Sequence, residues 1–302
     1  MMRAARMLLC AALLVCAVRA EDPAGSAADA LKLSESDAQD LKAQLARINS
    51  SNLRERLEGT DGVLRYGPAA RAAVEAVAQG PDAAQAEAAR KLLERPALQT
   101  NLPVVVLRLK RGEIWAVLLE DHAPNTVANF IALAERHFYD KLAFHRVIEQ
   151  FMAQGGDPTG TGLGGPGYRI ADEVSAASLG LDKLTVREWA QKLKQKPPKE
   201  PAASLTVQAL YEKQGYKYRE DLSSHPVRRG VLAMANAGPD SNGSQFFVTQ
   251  VDAAWLDGKH TVFGVVFRGM DAVDALQAGE TLEAVEVVWK RPHAYTVKKI
   301  EE

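Results

Sequence analysis

The chain has 302 residues and a formal net charge of −1, with 25% charged and 47% hydrophobic residues. These proportions are those of a folded globular protein with one large domain or two ordinary ones, and they exclude a disordered or fibrous chain. The small net charge provides no general attraction for nucleic acid, so no nucleic-acid partner is expected.

The first twenty residues differ from the rest of the chain. Arg3 and Arg6 precede an almost wholly apolar run over 7–18, and small residues surround a cleavage position before Glu21. This layout predicts a signal peptide over 1–20, and hence an exported protein of a bacterial periplasm or the cell exterior. The run is shorter than a typical membrane span of about 20 residues, so no stable span is expected after cleavage. An uncleaved N-terminal anchor is the alternative.

Both cysteines, Cys10 and Cys16, lie within this predicted signal peptide. After cleavage the chain would contain no disulfide, thiol nucleophile or cysteine-based metal site. The mature protein would therefore depend on its apolar core for stability.

Residues 21–100 are predicted to form a small all-α region, because apolar residues recur there at helical spacing. Three or four short helices are expected. The predicted helix starts are Ser34, Ser50 and Asp61, and the predicted breaks are Gly59, Gly67-Pro68 and Gly80-Pro81. The stretch 66–93 resembles one HEAT-type helix pair. Two hypotheses are open for this region: it docks the protein onto a partner or holds unfolded chains, or it is a spacer.

Residues 101–302 are predicted to form a mainly β domain. The β-branched run 104–109 opens it, and a helix is expected from Pro124. A second short helix is predicted over 270–276. Further strands are predicted over 114–119, 143–147, 150–154, 230–235, 244–249, 261–267, 283–289 and 295–300. Short strands with only two helices favour a closed antiparallel barrel over an α/β sheet.

Residues 174–229 interrupt this β pattern and are predicted to be a helical insertion between two strands. They contain eleven Lys or Arg residues against six Asp or Glu residues. Thr185 and Glu188 form a capping-box pattern, and a second helix is predicted over 206–214, ending at Gly215.

Several common kinds of site are excluded by their context. The pattern GxGxxG occurs over 160–165, but the segment before it ends in Gly-Gly-Asp-Pro and Pro166 stands where a helix would begin, which favours a glycine-rich loop. The six histidines show no HExxH spacing, and no serine lies in a GxSxG elbow. Neither a metal nor a cofactor is therefore expected.

Two segments combine apolar and polar residues in a way that a core strand does not require. The first is FHRVIEQFMAQGGD over 144–157, and the second is GVLAMANAGPDSNGSQFFVTQ over 230–250, continued by WLDGKHTVFG over 255–264. These segments resemble the cyclophilin family closely. The resemblance covers 104–300 apart from the insertion, about half of the chain. It implies a closed eight-stranded antiparallel barrel capped by two helices, with an active groove on the outer face.

The resemblance also implies an enzyme, a peptidyl-prolyl cis–trans isomerase, and it assigns catalysis to Arg146. The substrate-binding residues that it implies are His145, Phe151, Met152, Gln154, Ala235, Asn236, Gln245, Phe247, Trp255, Leu256 and His260. Taken singly, each would be an ordinary surface or core residue; their joint spacing matches the family. Glu149 departs from the family, since many relatives carry proline there, and the insertion is longer than the usual connection.

The chemistry of the X-Pro bond fits these residue types. Rotation about a peptide bond meets a barrier of about 18–20 kcal/mol. In the twisted transition state the proline nitrogen regains a lone pair, which a guanidinium can stabilise without stabilising either planar isomer. Unfolded or flexible proline-containing polypeptides are the expected partners, and the basic insertion is expected to flank the groove and favour acidic ones. A non-catalytic module that binds proline peptides is the alternative.

Overall fold

The computed structural model describes residues 25–300, so the predicted signal peptide lies outside the described residues. Five helices come first in this part of the chain, one more than the upper prediction. They are α1 Ala27–Ala30, α2 Glu35–Arg47, α3 Leu53–Leu64, α4 Arg71–Ala78 and α5 Ala83–Leu93. None of the helices in the described range combines the length and apolarity needed to cross a bilayer.

Three of the predicted helix boundaries are confirmed. Ser34 caps α2, and its hydroxyl accepts a hydrogen bond from the Asp37 N–H at 3.1 Å. The Gly67-Pro68 and Gly80-Pro81 pairs lie between helices, and α4 packs against α5 as a pair.

The other predicted boundaries in this region are wrong. Residues Gly59 and Asp61 lie inside α3, and Asn52 rather than Ser50 caps it. A Cβ built on Gly59 would lie 2.7 Å from the Cβ of Arg47 on α2. The glycine therefore permits close contact between two helices and does not end one.

Among residues 101–300, nine strands form one sheet, and every neighbouring pair is antiparallel. They are β1 Val104–Leu109, β2 Gly112–Leu118, β3 Leu142–Ala143, β4 Arg146–Ile148, β5 Met152–Gly155, β6 Val231–Met234, β7 Phe246–Thr249, β8 Val262–Arg268 and β9 Thr281–Trp289. Their order in the curled sheet is β3-β9-β1-β2-β8-β6-β7-β5-β4. A mainly β fold with preceding helices is thus confirmed.

A closed eight-stranded barrel is not confirmed. The terminal strands β3 and β4 are consecutive in the chain, but no ladder joins them within residues 25–300. The predicted strand 143–147 is divided where Phe144 turns into the core and its N–H donates to the Glu280 carbonyl at 2.8 Å.

The predicted strand over 295–300 is also wrong. The Asn125 side chain donates to the Lys298 carbonyl at 3.0 Å and accepts from the Lys298 N–H at 2.7 Å. These main-chain groups are therefore satisfied by a side chain, and only Ile300 forms a single bridge, to Arg169.

The core lies between the curled sheet and two further helices, α6 Pro124–Ala134 and α9 Met270–Asp274. The ring of Phe130 on α6 lies 5.5 Å from that of Phe246 and 5.0 Å from that of Phe263. Successive strand residues point to opposite faces, so Phe246 enters this core while Phe247 joins a second apolar cluster on the other face. The second cluster provides the floor of the site.

The insertion connects β5 to β6 and has an apolar core of its own. It contains α7 Val186–Lys192 and α8 Val207–Glu212, whose buried residues include Trp189 and Tyr211. Its first residue is joined to a residue near its C-terminal end, because the Arg219 N–H donates to the Val174 carbonyl at 2.8 Å. This bond closes residues 174–219 into a loop, and residues 220–229 lead on to β6.

Candidate active site

Three of the predicted site residues occupy facing positions on three adjacent strands. Arg146 on β4 is paired with Gln154 on β5, and Gln154 is paired with Phe247 on β7. Directly opposed residues of antiparallel strands project from the same face. The guanidinium and the Phe247 ring therefore lie on one side of the sheet, as the predicted site requires.

A series of hydrogen bonds holds the Arg146 guanidinium. Arg146 Nη1 donates to Gln154 Oε1 at 3.2 Å, and Gln154 Nε2 donates to Gln245 Oε1 at 2.9 Å. Gln245 Nε2 then donates to the carbonyls of Gly162 and Gly164, both at 2.9 Å. In both glutamines the side-chain oxygen accepts a hydrogen bond on the Arg146 side, and the side-chain nitrogen donates one on the far side. The donors in the series therefore all point the same way.

An apolar pocket lies beside this series. Phe247 and Met152 are buried in the second apolar cluster, where half-buried Phe151, Ala235 and Leu256 pack against them. The Trp255 ring lies 5.5 Å from that of Phe151, and Trp255 is 39% exposed, which places it at the rim.

His260 closes one side of the pocket. Its ring meets the Phe247 ring edge-on at 5.5 Å between centroids. The Met234 carbonyl lies 2.9 Å from Nδ1 and can only accept, so Nδ1 carries the proton in the neutral ring. Burial lowers the pKa of His260, which favours that neutral form. His260 thus contributes an uncharged aromatic surface to the pocket.

A cleft of about 450 Å³ adjoins the pocket, and Gln154, Asn236 and Gln245 line it together with the glycine-rich loop over 162–167. The Asn236 side chain donates to the Lys259 carbonyl at 2.9 Å. Its amide is therefore engaged within the protein.

The glycine-rich loop is held from within. The Asp157 carboxylate accepts hydrogen bonds from the N–H groups of Thr159 at 2.7 Å and Gly162 at 2.5 Å. His145 lies next to this loop, since a Cβ built on Gly162 would be 3.8 Å from its Nε2. His145 thus lies beside the loop that lines the cleft. Within residues 25–300 no group of His, Cys, Asp or Glu is arranged to hold a metal.

Comparison with known proteins assigns this arrangement to a family. The family model described as "Cyclophilin type peptidyl-prolyl cis-trans isomerase/CLD" matches residues 104–301. The chain belongs to the cyclophilin family. It is accordingly an enzyme of the peptidyl-prolyl cis–trans isomerase class.

Three proteins illustrate the similarity of this cyclophilin to known isomerases. Peptidyl-prolyl cis-trans isomerase-like 1 of Rhizopus delemar is 40% identical over 172 residues, which cover 56% of this chain and 76% of that protein. The Homo sapiens protein of the same name is 39% identical over 183 residues, covering 59% and 82%. A Cryptosporidium parvum cyclophilin-type isomerase, solved in the presence of the dipeptide Ala-Pro, is 24% identical with a TM-score of 0.42, covering 61% of this chain and 98% of that one.

Sequence reasoning missed several residues that support the pocket of this cyclophilin. The carbonyl of Gly258 accepts a hydrogen bond from the Tyr218 hydroxyl of the insertion at 2.9 Å. Asp257 is buried and accepts from the Val227 N–H at 2.6 Å. Asp257 and Gly258 lie in the WLDGKH segment, which the sequence analysis singled out. Their roles could not be predicted, because their hydrogen-bond partners are distant in the sequence.

Proposed function

We propose that this cyclophilin isomerises X-Pro bonds with Arg146 as its catalytic residue. The observation that carries the proposal is the common face shared by the Arg146 guanidinium and the apolar pocket around Phe247. The pocket offers an apolar surface for the proline ring, and the adjoining cleft provides room for the residues that flank the proline.

The proposed mechanism is differential stabilisation of the twisted amide. Phe247, Met152 and His260 hold the proline ring while the preceding carbonyl rotates. As the nitrogen becomes pyramidal, its lone pair accepts a hydrogen bond from Arg146, an interaction that the planar isomers do not offer. Gln154 keeps the guanidinium in a fixed orientation, which reduces the reorganisation needed at the transition state.

The test is the isomerisation rate of a short Ala-Pro peptide, measured by NMR exchange with catalytic amounts of the residue 21–302 protein. We expect exchange between the cis and trans signals to accelerate in proportion to protein concentration. Peptide binding with an unchanged exchange rate would establish the non-catalytic binder in place of the enzyme.

We further propose that residues 1–20 are a cleaved signal peptide and that the substrates are exported proteins whose folding is assisted. The basic start, apolar run and small residues before Glu21 support export. The helical residues 21–100 and the isomerase residues 101–302, with an insertion at 174–229, are proposed as the two parts of the mature chain.

N-terminal sequencing of the protein recovered outside the cytoplasm should begin at Glu21, and a start at Met1 or Met2 would reject cleavage. Folding assistance should appear as a faster slow phase in the refolding of a protein limited by X-Pro isomerisation.

A further inference from the structure

We infer that the insertion acts as a brace for the proline pocket, and that Tyr218 is a positioning residue which holds the 254–260 loop in its binding conformation. This inference rests on the proposed function, because it concerns how that same pocket is kept in shape. The loop carries Trp255, Leu256 and His260, which form the rim and one side of the pocket.

The first contact lies at Gly258, in the middle of the loop. The Tyr218 hydroxyl donates to its carbonyl at 2.9 Å. Gly258 has φ +86°, and a Cβ built there would lie 2.6 Å from Leu181 Cδ1 and 3.3 Å from the Tyr211 ring. The backbone of the loop therefore passes directly against the core of the insertion.

The second contact involves Lys259. Its ammonium lies 4.3 Å from the centre of the Tyr211 ring, within the range of a cation–π interaction. Its carbonyl accepts the hydrogen bond from Asn236. The insertion thus fixes the residue that joins the loop to the Asn236 side of the site.

The third contact lies at the C-terminal end of the insertion. The buried Asp257 carboxylate accepts from the Val227 N–H at 2.6 Å. Three successive residues, Asp257, Gly258 and Lys259, are consequently held by parts of the insertion that are up to 46 positions apart in the chain, from Leu181 to Val227.

The position of these contacts explains why they matter for binding. The loop belongs to no strand, since only residues 254–256 form a short 3-10 turn before β8 begins at Val262. A pocket wall without a ladder of its own must be ordered by neighbouring groups, or binding must supply the cost of ordering it.

The test compares Tyr218→Phe with the matched change Tyr216→Phe. Tyr216 belongs to the same aromatic group, with its ring 6.0 Å from that of Tyr211, and its hydroxyl makes no hydrogen bond to the 254–260 loop within residues 25–300. For each variant, calorimetry gives the Kd of an Ala-Pro peptide, NMR exchange gives kcat and KM, and hydrogen exchange follows the amides of 254–260.

For Tyr218→Phe we expect the Kd and KM to rise about fivefold, the factor that corresponds to one neutral hydrogen bond, with kcat nearly unchanged. Amide exchange should accelerate in 254–260 and not in the strands. Tyr216→Phe should match the wild type in all three readouts. Wild-type Kd and loop exchange in Tyr218→Phe would overturn the inference.

Failure of the proposed function and failure of the brace can be told apart. If the wild type binds the peptide but does not accelerate isomerisation, the proposed function fails, while the Kd and loop exchange still test the brace. If Tyr218→Phe does not fold, the test is made with Leu181→Ala, which removes the side chain packed against Gly258. This variant should raise the Kd and accelerate loop exchange in the same way. Wild-type values of both in Leu181→Ala would reject the brace.

Discussion

Arg146 and Gln154 face each other on neighbouring strands, and the guanidinium donates to the glutamine oxygen at 3.2 Å. Arg146 is nevertheless exposed, whereas the residues around Phe247 are packed into an apolar cluster. Catalysis can therefore be separated experimentally from folding at this pair, because replacing an exposed side chain leaves the core intact.

Replacing Arg146 by alanine should slow isomerisation of an Ala-Pro peptide by about 10- to 100-fold, because a hydrogen bond to a charged group contributes about 1.5–3 kcal/mol. Arg146→Lys keeps the charge but loses the planar fork, so it should retain only part of the rate. NMR exchange measures the rates. Arg136→Ala is the control at another exposed arginine and should keep full activity. A wild-type rate in Arg146→Ala would remove the catalytic role.

Gln154→Leu should lower kcat by about fivefold, since the guanidinium loses one orienting hydrogen bond. The Tm should fall only slightly, because Gln154 is half-buried and outside the main core. Gln277→Leu, at an exposed position after α9, provides the comparison. An unchanged kcat would show that Arg146 needs no orientation by its neighbour.

Much of the fold follows from local sequence, but the site depends on register. The adjacent Phe246 and Phe247 predict one residue on each face of a strand, and the structure places them so. Arg146 faces Gln154 across a local hairpin, but Gln154 faces Phe247 through pairing between segments 93 residues apart, which no local pattern encodes. The family resemblance supplied this relationship in advance.

The incorrect predictions of secondary structure also result from contacts between distant segments. The segment 295–300 has strand-like residues, but the side chain of Asn125 takes the hydrogen bonds that a neighbouring strand would have supplied. Likewise, Gly59 meets α2 in close contact, and that contact is invisible in the sequence around it. In both places, contacts with residues distant in the chain determine the conformation, and the local sequence propensity does not.

Asp257 should make stability depend on pH. Burial raises the pKa of its carboxyl from 3.8 to about 6. Between these values the folded state binds more protons than the unfolded state, so this group makes the free energy of unfolding fall as pH rises, by about 3 kcal/mol in total. Above pH 6 the contribution is constant.

Asp257→Asn removes this titration and keeps an oxygen for the Val227 N–H. Urea unfolding should show the variant gaining stability relative to the wild type as pH rises from 4 to 7. The exposed Asp271→Asn serves as the reference. Parallel curves for Asp257→Asn and the wild type would contradict the raised pKa.

Gly67 should be intolerant of a side chain. It has φ +56°, and a Cβ there would lie 2.6 Å from the Phe267 ring of β8, where the helical region meets the sheet. Gly67→Ala should lower the free energy of unfolding by about 2–4 kcal/mol, combining backbone strain with overpacking. Gly279→Ala separates the two terms, because Gly279 also has positive φ (+86°) but no atom within 4 Å. Equal losses in the two variants would exclude a role for the Phe267 contact.

The lysines of the insertion should favour acidic substrates. Lys192, Lys194, Lys196 and Lys199 are all exposed. The preference is measured as kcat/KM for a glutamate-flanked peptide divided by kcat/KM for a neutral peptide. Changing all four lysines to glutamine should lower this ratio by about threefold at low salt. The effect should disappear at high salt, where the charges are screened.

A control variant with the same net charge changes four exposed lysines outside the insertion, Lys32, Lys42, Lys91 and Lys110. It should preserve the ratio. If both variants change the ratio equally, overall charge and not the insertion sets the preference.

The hydrogen bond between Val174 and Arg219 closes most of the insertion into a loop. Because none of the nine described strands lies within 174–219, a change in the length of this loop need not shift the pairing of any strand. The positions that contact the 254–260 loop, among them Leu181 and Tyr218, are then the ones at which the insertion and the pocket constrain each other.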